Sequence, residues 1–439
     1  MIVLIMNEKY VVKVRRMSQT DGFIYLIVFL PFLFALMNEV LGLPWSIRYI
    51  IDVAWCLLLV YMFLSGRRGP QSLAVWIWLF LIYTLFAYLP QCQSPLYYLW
   101  GMRNNFRFYA AFFAFAVFMK PEDVDDWLKL FDKLFWVDVV VSVYQFLILG
   151  IDGDQLGGLF STETGGNGYT NIFLLIILTK TVIFCLEKRE NLGVCLAKCA
   201  AALVVAAMAE LKFFFVEFAL VIAMAVLFTS FSWRKLVIVL GAVIGVTCCV
   251  ALLVAIFPIY TNWFSFEGML ETALSDRGYT SSGDLNRLNS IPRINELWLK
   301  TGWQRVFGLG LGNCDTASYA IVNTPFFEAY GDMHYTWISY AMMYLETGWI
   351  GLIFYWGFFV LVYFRILKIE KHSEGIAGTY CRIARIMAVM CVGISIYNSS
   401  LRTEAGYMAY FVLAVPFALN RNVGGRNIYR NAYKETMVQ

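Results

Sequence analysis

The chain has 439 residues, of which 60% are hydrophobic, 18% aromatic and only 15% charged, with a net charge of +4. A mean hydropathy of +0.66 lies far outside the range of soluble domains, and so small a basic excess does not point to nucleic acid. Two histidines, and ten cysteines lying mostly inside apolar runs, offer no metal-ligand spacing, so neither a metal nor a cofactor is expected.

In chain order, Lys9, Lys13, Arg15 and Arg16 precede a first apolar run, 23–43, which is too long for a signal core and reads as a retained helix. Eleven further runs follow, at 46–64, 73–90, 106–119, 134–151, 169–186, 192–209, 213–231, 235–257, 348–367, 377–396 and 406–419. About twenty helical residues cross a hydrocarbon core, because lipid offers no partner to an unpaired backbone group. The expected fold is therefore an all-α membrane protein of about twelve transmembrane helices.

Placing the N-terminus in the cytoplasm puts 22 of the 34 lysines and arginines on the cytoplasmic side. Ten fall outside: Arg48, Arg103, Arg107, Lys212, Arg277, Arg287, Arg293, Lys300, Arg305 and Arg402. Lys180 and Lys198 lie within spans near their cytoplasmic ends, from which they can snorkel. Both termini are then cytoplasmic. Asp138 and Glu217 sit at or near membrane depth, where a bundle-facing residue satisfied by a neighbour is the simplest reading. No internal repeat of the kind found in many transporters is apparent.

Three regions follow: 1–257, an N-terminal bundle of about nine spans; 258–347, a long extracytoplasmic loop; and 348–439, C-terminal helices and a cytoplasmic tail. The long loop is rich in Trp, Tyr and Phe and is expected to fold as a cap. Cys92 and Cys314 lie in expected outer loops, where a disulfide is open to them.

Four clusters converge on the outer side. They are Arg287 with Arg293-Ile294-Asn295-Glu296-Leu297-Trp298; the turn Gly308-Leu309-Gly310-Leu311-Gly312-Asn313; His334, followed by an apolar stretch into Glu346-Thr347-Gly348-Trp349-Ile350-Gly351; and Lys212, flanked by Glu210 and Glu217, at a break between two spans. The glycine run is no nucleotide fingerprint, because no strand–turn–helix surrounds it, and reads as a tight turn. Each of the others has a plainer reading: a surface histidine, a structural Lys–Glu pair, a solvated arginine. The aromatic residues Trp263, Trp298, Trp303, Tyr319, Tyr330, Tyr335 and Trp337 suit sugar stacking and an interfacial belt equally well.

In this order and at these membrane positions, the clusters resemble the O-antigen polymerase and O-antigen ligase superfamily, bacterial membrane enzymes that move glycans from polyprenyl-diphosphate carriers. The resemblance covers the whole topology and is most specific from Arg293 to Gly351. A weaker match is Gly157-Gly158-Leu159-Phe160 through Gly165-Gly166-Asn167. The chain departs from the ligase pattern at the histidine, where Tyr335 follows His334 and the spacing to Gly348 is longer by about three residues, nearly one helical turn.

The resemblance implies a metal-independent glycosyltransferase of the bacterial inner membrane, with its active site facing outward. It polymerises polyprenyl-diphosphate-linked oligosaccharide units into O-antigen, capsule or exopolysaccharide. An O-antigen ligase acting on lipid A core is the alternative, and a transporter or flippase of lipid-linked sugar is an alternative of another class. His334 is expected as the catalytic base. Arg293, Lys212 and Arg287 are expected to hold the diphosphate, since arginine's planar fork matches two phosphate oxygens. Glu346, Trp298, Tyr335 and Asn167 are expected near the sugars. Membrane lipid, a chain-length regulator and a flippase are the expected partners.

Overall fold

A computed structural model describes residues 2–6, 12–16, 18–230, 232–256, 283–316 and 322–421. The start of the long loop, including Trp263 and Arg277, and Lys9, Tyr319, Arg426, Arg430 and Lys434 lie outside the described residues. A two-stranded antiparallel ribbon, β1 (Ile2–Met6) with β2 (Val12–Arg16), opens the chain. Everything large that follows is helical.

Each expected span corresponds to a helix. These are α1 (Gln19–Phe29, continued by 3-10 and π turns to Val40), α2 (Ile50–Leu64), α3 (Gln71–Tyr88), α4 (Pro95–Phe118) and α5 (Val124–Leu147). After them come α6 (Asn167–Leu186), α7 (Leu192–Met208), α8 (Lys212–Phe228) and α9 (Trp233–Ile256). The loop carries the short helices α10 (Ser290–Leu297), α11 (Gly302–Phe307) and α12 (Pro325–Tyr330). Three long helices close the fold: α13 (Ser339–Glu370), α14 (Ile376–Tyr397) and α15 (Gly406–Asn420). Six segments of the described chain are long and apolar enough to cross a membrane: Trp45–Leu64, Gln71–Gln91, Asn167–Leu186, Trp233–Ala251, Ser339–Glu370 and Ile376–Tyr397. The protein is thus a helical membrane protein.

Burial separates a centre from a rim. The apolar window of α6 is 94% buried, that of α2 17% and that of α9 6%. An apolar helix exposed on most of its surface is stable only against lipid. α6 is ringed by α5, α7, α8, α14 and α15.

Two helices differ from their expected bounds. α4 begins at Pro95, with proline in its first turn, eleven residues before the expected 106. Arg103, Asn104, Asn105 and Arg107 interrupt the hydropathy there, but each bonds within the bundle. α13 begins at Ser339, so the last residues of the expected loop region, 339–347, are already helical. Its kink at Gly348, φ 61°, falls where a Cβ would collide with the Val306 carbonyl of α11. That close approach clamps the loop onto the helix.

Asp138 is satisfied at one oxygen: Oδ1 accepts the Leu159 amide at 2.8 Å, while Oδ2 is buried with no hydrogen-bond partner among the described residues. Glu217 is buried as well, with its carboxyl beside the Asn171 side chain of α6. Cys92 and Cys314 are free thiols, so no disulfide joins them.

Candidate functional site

One end of the bundle gathers nearly all the expected site residues; we call it the loop end. It is formed where α7 breaks into α8, where α14 turns into α15, and where the described loop packs down. At the break, Glu210 takes a left-handed φ of 52°, and Lys212 opens α8 with its amide on the Glu210 carbonyl at 2.8 Å. Gly153 lies so close to the Glu210 carboxylate that a Cβ would contact it at 2.9 Å. Lys212 lies within electrostatic reach of Glu210, Asp154 and Arg287. Asn167, at the first turn of α6, donates to Asp154 at 2.8 Å and to the Ala209 carbonyl at 3.1 Å, so it braces the break.

Arg287 arrives from the loop. Its guanidinium lies 5.5 Å from the centre of the Tyr397 ring at the end of α14, and that ring stacks on Phe213, centroids 4.4 Å apart. The Arg287 carbonyl takes a hydrogen bond from Tyr340 at 2.5 Å. Two cations from segments 75 positions apart in sequence, Lys212 and Arg287, are thus brought together.

His334 is tied to the chain segment that leads into Arg287. The Leu285 amide bonds the Met333 carbonyl at 3.3 Å, which brings Asp284 to the histidine. His334 has a left-handed φ of 52°, which for a non-glycine residue is a strained geometry of the kind concentrated at functional sites. Its Nδ1 pairs with Oδ1 of Asp284, and its ring stacks on Trp337, centroids 3.7 Å apart. An ionised carboxylate only accepts, so Nδ1 carries the hydrogen, and the neutral form of the ring has its lone pair on Nε2. The side chain is 39% exposed, which leaves that nitrogen reachable. Asp284 is a functional candidate that the sequence reading missed, since nothing local ties it to a histidine fifty positions away.

Arg293 is placed differently. On α10 it forms an ion pair with Glu296, three residues along the same helix. Trp298 and Tyr335 are packed inside the loop among Phe326 and Tyr330. Tyr335 is 0% exposed and donates to the Cys314 carbonyl at 2.7 Å; burial raises its phenol well above the usual range. With their faces covered by protein, neither presents a surface to a sugar here. Glu346 is also buried, accepting the Cys314 amide at 3.2 Å while its carbonyl takes the Gly310 amide at 2.9 Å. It holds the glycine turn against α13. That turn is as tight as its composition implies: Gly308 and Gly312, with φ of 75° and 85°, leave no room for a Cβ beside the Glu346 and Tyr97 carbonyls.

A further group went unrecognised in the sequence. Arg107 of α4 donates to Glu404 at 2.9 Å and to the Arg402 carbonyl at 2.7 Å. Tyr169 of α6 donates to the other Glu404 oxygen at 2.5 Å. Arg103 pairs with Asp52 at 2.6 Å, and Arg402 with Asp315 at 2.9 Å. Burial alone would raise the Glu404 carboxyl, but Arg107, Arg48, Tyr169 and Arg103 overcome it and hold the group down at about 2. Among the described residues, no group of three or more His, Cys, Asp or Glu side chains is placed to hold a metal ion.

No family model matches the chain, and no curated protein matches it.

Proposed function

We propose that the protein is a membrane glycosyltransferase that polymerises polyprenyl-diphosphate-linked oligosaccharide units, working at the outer face of a bacterial cytoplasmic membrane. In this reading twelve helices span the bilayer, both termini are cytoplasmic, and the loop between α9 and α13 forms a cap over the outer side. The lysine and arginine bias of the short connections supports the orientation. The observation that carries the chemistry is the His334–Asp284 pair, three residues along the chain from Arg287, which itself lies within reach of Lys212.

Asp284 orients the ring and stabilises the imidazolium that forms, leaving Nε2 to take a proton. The acceptor hydroxyl oxygen attacks the donor's anomeric carbon and a new C–O bond forms. The bond from that carbon to the diphosphate oxygen breaks, the hydroxyl proton passes to His334 Nε2, and the diphosphate leaves with the bonding pair. Lys212 and Arg287 stabilise the charge growing on the leaving group. Arg293 is a third cation for the same group. Its pairing with Glu296, which is 68% exposed, is of the weak surface kind that a phosphate readily displaces.

Purified protein, given lipid-linked repeat units in the presence of chelator, should build a ladder of products that lengthens with time. His334→Ala should bind donor but turn over slowly. Near-wild-type turnover by that variant would remove His334 as the base, and loss of activity on chelation would remove the metal-free mechanism. Product formed only on a lipid A core acceptor would replace polymerisation with ligation.

A further inference from the structure

Arg287 is held in a way that sets it apart from the arginines of the Glu404 group. Arg103, Arg107 and Arg402 spend N–H donors on Asp52, Glu404 and Asp315. The Arg287 guanidinium lies instead against an aromatic ring, that of Tyr397, 5.5 Å from its centre. A ring attracts a guanidinium through the negative charge of its face and leaves the N–H groups unspent. A carboxylate in contact with the guanidinium would consume the donors that a phosphate needs. The contrast counts here, because Asp154 and Glu217 both stand within electrostatic reach of Tyr397.

The ring is itself fixed. Tyr397 is the last residue of α14, and the next carbonyl, that of Asn398, accepts the Ser339 amide at 3.2 Å and the Ser339 hydroxyl at 3.0 Å. Two residues before Tyr397, the Ser395 hydroxyl accepts the Trp356 indole N–H at 2.9 Å. α13 thus locks the end of α14 in place. The Tyr397 ring then stacks on Phe213, centroids 4.4 Å apart and planes 11° from parallel. Phe213 adjoins Lys212 in the chain, so the stack ties one cation to the other. The Arg287 backbone is pinned from α13 as well: Tyr340 donates to its carbonyl at 2.5 Å, and the Tyr340 ring stacks on Trp356. The start of α8, the end of α14 and the loop therefore meet at one ring.

We propose that Tyr397, backed by Phe213, is a positioning residue: its ring holds the Arg287 guanidinium beside Lys212 with its N–H groups free for the diphosphate of the lipid carrier. This rests on the reading of Lys212 and Arg287 as the diphosphate clamp of the polymerase.

Calorimetric titration of the full chain with farnesyl diphosphate, in nanodiscs of zwitterionic lipid, tests the ring directly. Tyr397→Leu should weaken binding about three- to thirtyfold, the range of one cation–π contact. Tyr397→Phe keeps the ring and should retain most of the affinity, and Phe213→Leu should lose less than Tyr397→Leu. In an Arg287→Gln background Tyr397→Leu should cost nothing further, because the group it holds is gone. That coupling separates positioning from packing, since a packing defect would weaken both backgrounds alike. Tyr397→Met fills the space without a ring and carries the same expectations should the leucine variant not fold. Unchanged affinity in the ring-free variants, or an equal further loss without Arg287, would overturn the proposal. So would Tyr397→Phe binding as weakly as Tyr397→Leu, which would assign the effect to the hydroxyl. Coupled binding of farnesyl diphosphate by a protein that makes no polymer from repeat units would instead remove the polymerase reading and leave the role of Tyr397 standing.

Discussion

Replacing Glu404 by glutamine removes the charge from one half of a buried ion pair and should destabilise the fold by about 3 kcal/mol. The Arg107 and Glu404 side chains are 3% and 4% exposed, so solvent does not screen the pair. The carboxyl is held at about 2 against an ordinary value of 4.5. At about 1.4 kcal/mol per pKa unit this corresponds to roughly 3 kcal/mol of favourable interaction with the ionised form. Breaking a buried pair by removing one partner typically costs about 3–5 kcal/mol, because the other charge is left uncompensated. The two routes agree in size. Equilibrium unfolding in mixed detergent micelles measures the loss, and Glu404→Gln combined with Arg107→Met should recover much of it, because no buried charge is then orphaned. The pH dependence has a definite sign. A depressed carboxyl stabilises the fold fully above the unfolded value near 4.5 and loses that contribution as pH falls through about 2. Wild type and Glu404→Gln should therefore differ most at neutral pH and converge in acid. A variant within about 0.5 kcal/mol of wild type at neutral pH, or a difference that grows on acidification, would refute the reasoning.

His334→Ala should lower turnover by about a hundred- to ten-thousandfold, and Asp284→Asn by a smaller factor with a shifted pH–rate profile; equal activity in Asp284→Asn would leave the pair without a catalytic part. Arg293→Lys keeps the charge but loses the bidentate fork, so steady-state assays should show roughly a tenfold loss, and full activity would leave it structural. Gly312→Ala, at φ 85° and against the Tyr97 carbonyl, should destabilise by about 1–3 kcal/mol, read as a lower melting temperature; an unchanged melt would show that the turn can move. In a background lacking the exposed Cys92, Lys300→Cys should react with a membrane-impermeant reagent in intact cells and Glu374→Cys should not; the reverse pattern would invert the topology.

The apolar runs by themselves determined the class of fold, because a backbone in lipid must pair within its own segment and a run of the right length has one solution. The turn at Gly308–Gly312 and the break at Lys212 were legible for the same reason: the local chain fixes them. The full length of α4 was not, since its interrupting charges are tolerable only against Asp52, Asp315 and Glu404, which lie 51, 211 and 297 positions from their α4 partners. Nor could the sequence distinguish an aromatic residue that meets a ligand from one that fills a core. Trp298 and Tyr335 have the composition of a sugar platform, and packing against Phe326 and Tyr330 covers them. The partner of His334 was likewise decided by tertiary structure, because only the pairing of Leu285 with Met333 brings Asp284 to the ring. Charge type and apolar length are local properties of a chain; which charge meets which is settled only when distant segments share one end of a bundle.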